Sequence, residues 1–454
     1  MRRLERLDTE SDIVVIGAGL SGLTAARELA LVGQEVLVLE ARDRPGGRTQ
    51  VAEIEGVTVD LGGEWVDEAH AEIRKLVGDL GLNLYPFERR KEDARWHVGG
   101  KTTNEMPFSR RDAEVYHKMN EALVEAASAT DPETYWRDAP RDDVSVEGWL
   151  RNAGMSEGGI HVVETLTSSC GSTVPLARMS FYSYAVKVAT RGGPGKGNEY
   201  RVEGGAGSVA LALAAELEGR VSYSSPVTEV RQSDSGVEVS WMDGDGPRLA
   251  RARRVILAVP FTCYRGIRFG PEPPPVFRRM ISGSVYGVVR KMALVFDAEV
   301  DASKFTVTDT PLGYCSVAQD PGSTKGSRGI ISFAGGSPLL TELGLPEEVR
   351  KRRAVELLRG LYDVPEPVAV IEKVWANDYW TGGSYMIMSP GDARAFGEVM
   401  GGSFGRVHLA GAEGFAAAPS FMNSAVKSGL RAGREVAEAL EIGAPGLTRA
   451  GTER

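Results

Sequence analysis

The first residues with the types and spacing for chemistry are glycines. Gly17-Ala18-Gly19-Leu20-Ser21-Gly22 follows the β-branched run Ile13-Val14-Val15-Ile16 without a break. That pattern suits the pyrophosphate of a dinucleotide. Gly17 permits a tight turn, Gly19 lets the backbone approach the phosphates, and Gly22 lets a following helix pack closely on the strand. Leu20 and Ser21 open that helix, whose N–H groups and partial positive charge attract an anion. Glu40 ends the next apolar run. A carboxylate there accepts hydrogen bonds from ribose hydroxyls and repels a 2′-phosphate, which favours NAD or FAD over NADP.

These groups need a strand, a helix and a second strand to hold them. Ile13–Ile16 reads as a buried parallel strand, Leu23–Ala30 as a helix that stops at Gly33, and Glu35–Leu39 as the second strand. After Glu40 come Ala41, Arg42 and the group Gly46-Gly47-Arg48, where arginine donors flank side-chain-free backbone suited to a diphosphate. Gly62-Gly63-Glu64-Trp65 adds a second glycine pair before a large aromatic. Arg110–Ala127 and Val144–Gly154 read as helices, and Gly192–Gly197 as a loop. Val221–Val227, Gly236–Trp241, Arg254–Val259 and Arg406–Ala410 read as strands, followed by a helix with apolar or small residues from Val426 to Leu440.

On these segments the sequence resembles the flavin-containing amine oxidase family, which includes monoamine, polyamine and L-amino acid oxidases. The resemblance implies an α/β fold. A discontinuous Rossmann-like FAD-binding domain (1–88, 203–285 and 395–442) is interrupted by an inserted α+β substrate-binding domain (89–202 and 286–394), with a disordered tail at 443–454. It places Glu40 at the adenosine ribose, Arg42, Gly47 and Arg48 along the cofactor channel, and Gly62–Trp65 under the flavin ring. Val227 falls where backbone meets adenine, and Glu413 near the ribityl–phosphate part. The helix after Phe421 and Met422 points at the flavin, where a positive helix end favours the charge of the reduced ring.

Three positions carry the expected chemistry. Lys291 lies in the apolar run Gly287–Phe296. Periodicity alone favours a lysine reaching the surface. The resemblance instead links it through water to the flavin and to the reaction with oxygen, with Arg290 as the neighbour if the register slips. Trp380–Tyr385 and Pro419–Met422 resemble the segments that supply two facing aromatics, Tyr385 and Phe421, a slot that orients an amine and excludes water. Trp375 is either a further wall or core. Phe421 replaces the usual tyrosine, and Asn423-Ser424-Ala425 replaces a commoner Glu-Gly-Ala. Ser384 stands where monoamine oxidases carry the flavin-linked cysteine, so the FAD is expected to be non-covalent. The implied reaction oxidises a C–N bond of a small amine or amino acid to an imine, with O2 reduced to hydrogen peroxide. A desaturase, a monooxygenase or a non-catalytic flavin-binding protein are the alternatives.

Composition narrows the rest. The formal net charge is −9, and no Lys/Arg run forms a nucleic-acid stripe. Cys170, Cys263 and Cys315 are scattered, as are five histidines, so neither a disulfide framework nor a metal site is expected. With no apolar run long enough to span a bilayer and no signal-like N-terminus, a cytoplasmic protein without membrane attachment is expected. The substrate is not legible. An amino-acid oxidase needs an arginine facing the aromatics, and a polyamine oxidase needs carboxylates such as Glu64, Glu199 or Glu203. The oligomeric state stays open, a homodimer included.

Overall fold

Ile13 to Ile16 are fully or almost fully buried because they run through the middle of a nine-stranded sheet. The computed structural model describes residues 9–87, 94–130, 134–137, 139, 143–301, 304–318, 327–413 and 421–441; side chains of 168–170 and the expected tail at 443–454 lie outside that description. The described residues form two compact units. The first comprises 1–48, 209–283 and 396–454, and the second 49–208 and 284–395.

In the first unit, β1 (Thr9–Ile16) leads through the glycine turn into α1 (Leu20–Leu31) and back to β2 (Val36–Leu39). The two strands pair in parallel, Ile13 opposite Val36 and Ile16 opposite Leu39. On its other side β1 pairs in parallel with strand Gly246–Leu257. The far edge of that long strand is shared. Its first half pairs antiparallel with Gly236–Asp243, and Val255–Leu257 pair in parallel with Val407–Leu409. Consecutive parallel strands joined through a helix, all apolar where both faces are covered, make a doubly wound α/β sheet. The C-terminal helix Met422–Ala439 packs on α1 through Gly429, where a Cβ would stand 2.4 Å from the Ser21 carbonyl oxygen. The continuous strand expected over Val221–Val227 is instead two strands, Val221–Ser222 and Val227–Ser233. Ser224 takes a positive φ of 51°, and Pro226 lacks the N–H a ladder needs.

The second unit is built on a seven-stranded sheet whose longest strands are Val289–Val300 and Ser327–Gly335, paired antiparallel. Hairpin Val51–Ile54/Val57–Asp60 lays Ile54, Val57, Val59 and Leu61 against Ala293, Val295 and Ile331 of that sheet. This apolar contact explains why the compact division falls after Arg48, whereas the ligand-based expectation kept residues up to 88 with the nucleotide domain. Helices Arg110–Ser128, Val146–Asn152 and Phe181–Thr190 form a separate apolar cluster in this unit, with Ser109, Ser145 and Ser180 as capping acceptors.

Candidate active site

The nucleotide end of the first unit is made of backbone. Gly17 turns at a φ of +105°, and a Cβ there would stand 2.8 Å from the Ala258 carbonyl oxygen. At Gly22 a Cβ would lie 2.0 Å from the Gly17 carbonyl oxygen. At Gly19, by contrast, a Cβ would meet nothing within 4 Å. Helix α1 starts there with no capping side chain and no acidic residue in its first turn. The second glycine group lies on the first: Gly46 N–H donates to the Ala18 carbonyl at 2.8 Å, and Gly47 sits over Gly19. Open space, bare backbone and uncompensated amide dipoles fit a diphosphate, so these residues fit the dinucleotide cofactor.

Glu40 is buried at the end of β2. One of its oxygens accepts from Ala18 N–H at 2.8 Å, and the other from Arg42 N–H at 2.9 Å. Glu40 therefore ties the glycine turn to the segment through Ala41 and Arg42, and each oxygen keeps a lone pair for a ribose hydroxyl. Ser225 N–H donates to the Glu40 carbonyl and Ser224 N–H to that of Arg42, which brings the start of strand Val227–Ser233 to the same end. Arg48 and Glu413 form a two-pronged pair in which Arg48 Nη2 donates to Glu413 Oε2 at 2.9 Å, with Glu413 wholly buried. Both Glu413 oxygens thus anchor Arg48. Nearby, burial pushes the Cys263 thiol up to about 11, so it is not a thiolate. Phe421 caps the C-terminal helix with extended backbone, no capping side chain and no acid in the first turn that Met422 opens.

The second unit holds a site made of side chains. Lys291, 4 % exposed, donates from Nζ to Glu64 Oε2 at 2.5 Å and to the Asp60 carbonyl at 3.0 Å. The other Glu64 oxygen pairs with Arg201 at 2.5 Å. Arg201, 1 % exposed, lies against both Trp65 and Phe87, its guanidinium carbon 4.2 and 4.5 Å from the ring centroids, and donates to the Val317 carbonyl at 2.9 Å. Burial alone would raise the Glu64 carboxyl, but Lys291 and Arg201 outweigh it and hold that carboxyl below its usual range. The Asp60 carboxylate, which accepts from Ala206 N–H, is pushed up to about 7 by burial and by the Glu64 charge. Lys291 is therefore inside, against the surface reading that periodicity favours. Its neighbour Arg290 points to the other side of the strand and pairs with Glu342 and Glu372, so it is not the alternative.

Register then places an aromatic beside Lys291. Lys291 is opposite Phe333 on one neighbouring strand and Lys373 on the other, so the three side chains share a sheet face. Phe333 packs against Tyr385, with centroids 6.4 Å apart. Tyr385 is held by Thr173: the Thr173 hydroxyl donates to the Ser384 carbonyl at 2.7 Å and accepts from Tyr385 N–H at 3.1 Å. Trp375 lies at the strand end next to this face. It is 3 % exposed and donates its indole N–H to the Leu61 carbonyl at 2.8 Å, a packed residue. Gly62 and Gly63 are half-buried in the bend that leads to Glu64 and Trp65. Glu64 is neutralised by two cations and Glu203 is exposed, so neither serves as the buried carboxylate of a polyamine tunnel; both oxygens of Glu199 accept backbone N–H groups, from Gly197 and Glu68.

Asp60, Arg201, Thr173 and Phe333 were not singled out from the sequence. The single usable signal was Arg201, a charge in the apolar strand Tyr200–Val202, which demands a buried partner.

A doubly wound nucleotide unit and a second unit with a buried lysine beside aromatics define a flavin-dependent oxidoreductase. Residues 20–437 match the family model described as flavin containing amine oxidoreductase, and the chain belongs to that family. It is accordingly an enzyme that uses FAD to oxidise amines. It is 29 % identical over 405 residues to putrescine oxidase of Kocuria rosea, covering 83 % of this chain and 84 % of that one. It is also 29 % identical to flavin-containing amine oxidase A of Canis lupus familiaris, over 94 % of this chain and 85 % of that one. Among solved structures, wild-type putrescine oxidase bound to putrescine superposes with a TM-score of 0.84 at 25 % identity, over 95 % of this chain and 99 % of that one. Cyclohexylamine oxidase from Brevibacterium oxydans gives 0.82 at 26 % identity, over 95 % of this chain and 100 % of that one.

Proposed function

We propose that this chain is an oxidase of small amines that holds FAD without a covalent bond and uses O2 as the electron acceptor, releasing hydrogen peroxide. The observation that carries this reading is the buried Lys291 ammonium, fixed by Glu64 and the Asp60 carbonyl on the sheet face that also bears Phe333. When bound, FAD supplies the two-electron acceptor. Lys291 is the cation that favours reduction of oxygen, and Glu64 with Arg201 sets its position. Tyr385 and Phe421 orient the amine. Gly17, Gly19, Leu20, Ser21 and Gly22 bind the pyrophosphate, with Glu40 at the ribose and Arg42 and Arg48 along the channel. Ser384 has no thiol for a flavin bond. No helix among the described residues is long and apolar enough to cross a membrane, and the protein is proposed to work in the cytoplasm, with a homodimer as its candidate assembly.

Anaerobic mixing with primary, secondary and carboxylated amines tests this. Loss of the oxidised-flavin band, followed by one peroxide per flavin on readmitting air, is expected. An unbleached flavin with every amine overturns amine oxidation, bleaching without peroxide points to another acceptor, and an oxygenated product points to a monooxygenase.

A further inference from the structure

Helix Phe181–Thr190 brings a second lysine to Tyr385. Lys187 is half-buried, and its Nζ stands 5.0 Å from the centroid of the Tyr385 ring. The ammonium also donates to Ser172 Oγ at 3.3 Å. Arg191 follows one helical turn later on the same side and is oriented by Asp67 at 3.1 Å and by the Asn198 side chain at 3.0 Å. Burial and the Arg191 charge both act against the Lys187 cation and bring its pKa down to about 7. A lysine placed only to complement the helix end would extend into water and keep its solvation. Lys187 instead directs its charge onto the face of the aromatic that is proposed to orient the substrate.

We propose that Lys187 is a specificity-determining residue that selects amines carrying a carboxylate and disfavours diamines. This rests on the amine-oxidase reading. The reacting nitrogen must be uncharged, so any charge on the substrate sits elsewhere on the molecule. A carboxylate there meets the Lys187 and Arg191 cations as an opposite charge. A distal ammonium meets Lys187 and Arg191 as like charges. Glu64, the buried carboxylate nearest in type to a diamine acceptor, is already neutralised by Lys291 and Arg201. The chain thereby differs in preference from its relative named for putrescine.

The test uses holoenzyme with butylamine, putrescine, 4-aminobutanoate and 2-aminohexanoate, which separate charge sign from the spacing between nitrogen and carboxylate. At least one carboxylated amine is expected to exceed butylamine and putrescine in kcat/KM. Lys187→Met is expected to reduce that preference by about 30-fold or more, mainly through KM. Lys187→Arg should retain it, Lys187→Glu should turn it toward putrescine, and the exposed Lys196→Met should change nothing. A second readout needs no turnover: benzoate titrated against the bound flavin's absorbance should bind about 30-fold more weakly to Lys187→Met. Preference of the wild type for putrescine, or equal benzoate affinity in wild type and Lys187→Met, overturns the proposal. Flavin that no amine reduces, with benzoate binding still dependent on Lys187, defeats the amine-oxidase reading and keeps the anion site.

Discussion

The nucleotide end of the first unit and the lysine cluster of the second reach their function by opposite means. The first removes side chains: Gly17, Gly19, Gly22, Gly46 and Gly47 leave bare backbone, tightly packed at Gly17 and Gly22 and open at Gly19. The second concentrates them: Asp60, Glu64, Arg201 and Lys291 bury four ionisable groups in one cluster. A backbone site depends on conformation and close approach, so a single added methyl is enough to destroy it. A cluster of buried charges depends on balance, so removing one partner strands the others.

The largest expected effect follows from that contrast at Gly22. A Cβ there lies 2.0 Å from a backbone oxygen that cannot move away without opening the turn. Gly22→Ala is expected to abolish flavin binding, read as bound FAD per chain; normal occupancy would show that the turn tolerates a side chain. On the other side of the comparison, Glu64→Gln leaves Lys291 and Arg201 as buried cations facing a neutral amide. It should lower stability by about 3–5 kcal/mol in denaturant unfolding. A loss under ~1 kcal/mol would mean that water or a rearranged Asp60 compensates the cations.

Lys291→Met separates chemistry from balance. Stopped-flow oxidation of reduced enzyme by O2 should slow by roughly 100-fold, while anaerobic reduction by amine changes little. An equal slowing of both steps would make Lys291 a structural residue only. The smallest effect concerns pH. Asp60 is raised to about 7 by burial and by Glu64, with Lys291 and Arg201 acting in the opposite sense. An unfolded aspartate titrates near 3.9, so the folded chain keeps a proton that the unfolded chain has lost. That contribution to stability is complete below about pH 4 and disappears as pH rises through about 7. Asp60→Asn should therefore flatten the fall in melting temperature between pH 5 and 8. An unchanged slope would assign the titration to another group.

The same contrast decides what could be read in advance. The turn from Ile16 to Gly22, helix α1, β2 and Glu40 were legible because they are contiguous, and because glycine spacing, period and chain order report backbone conformation directly. The strand containing Lys291 was legible as an element, but the lysine's direction was not, since periodicity favoured solvent. Trp375 illustrates the converse: an aromatic in a suggestive segment turns out to be held by the Leu61 carbonyl as packing. The break at Ser224–Pro226 was missed because a β-rich composition outweighed a local turn.

Sequence alone determined the cofactor-binding architecture and the family, because local backbone rules act over a few residues and leave their mark in residue type. Tertiary structure alone decided that residues 60, 64, 201 and 291 form one charge-balanced cluster, and that Lys187 lies over Tyr385. Coulomb balance depends on distance in space and on burial, and neither is written in the order of the residues.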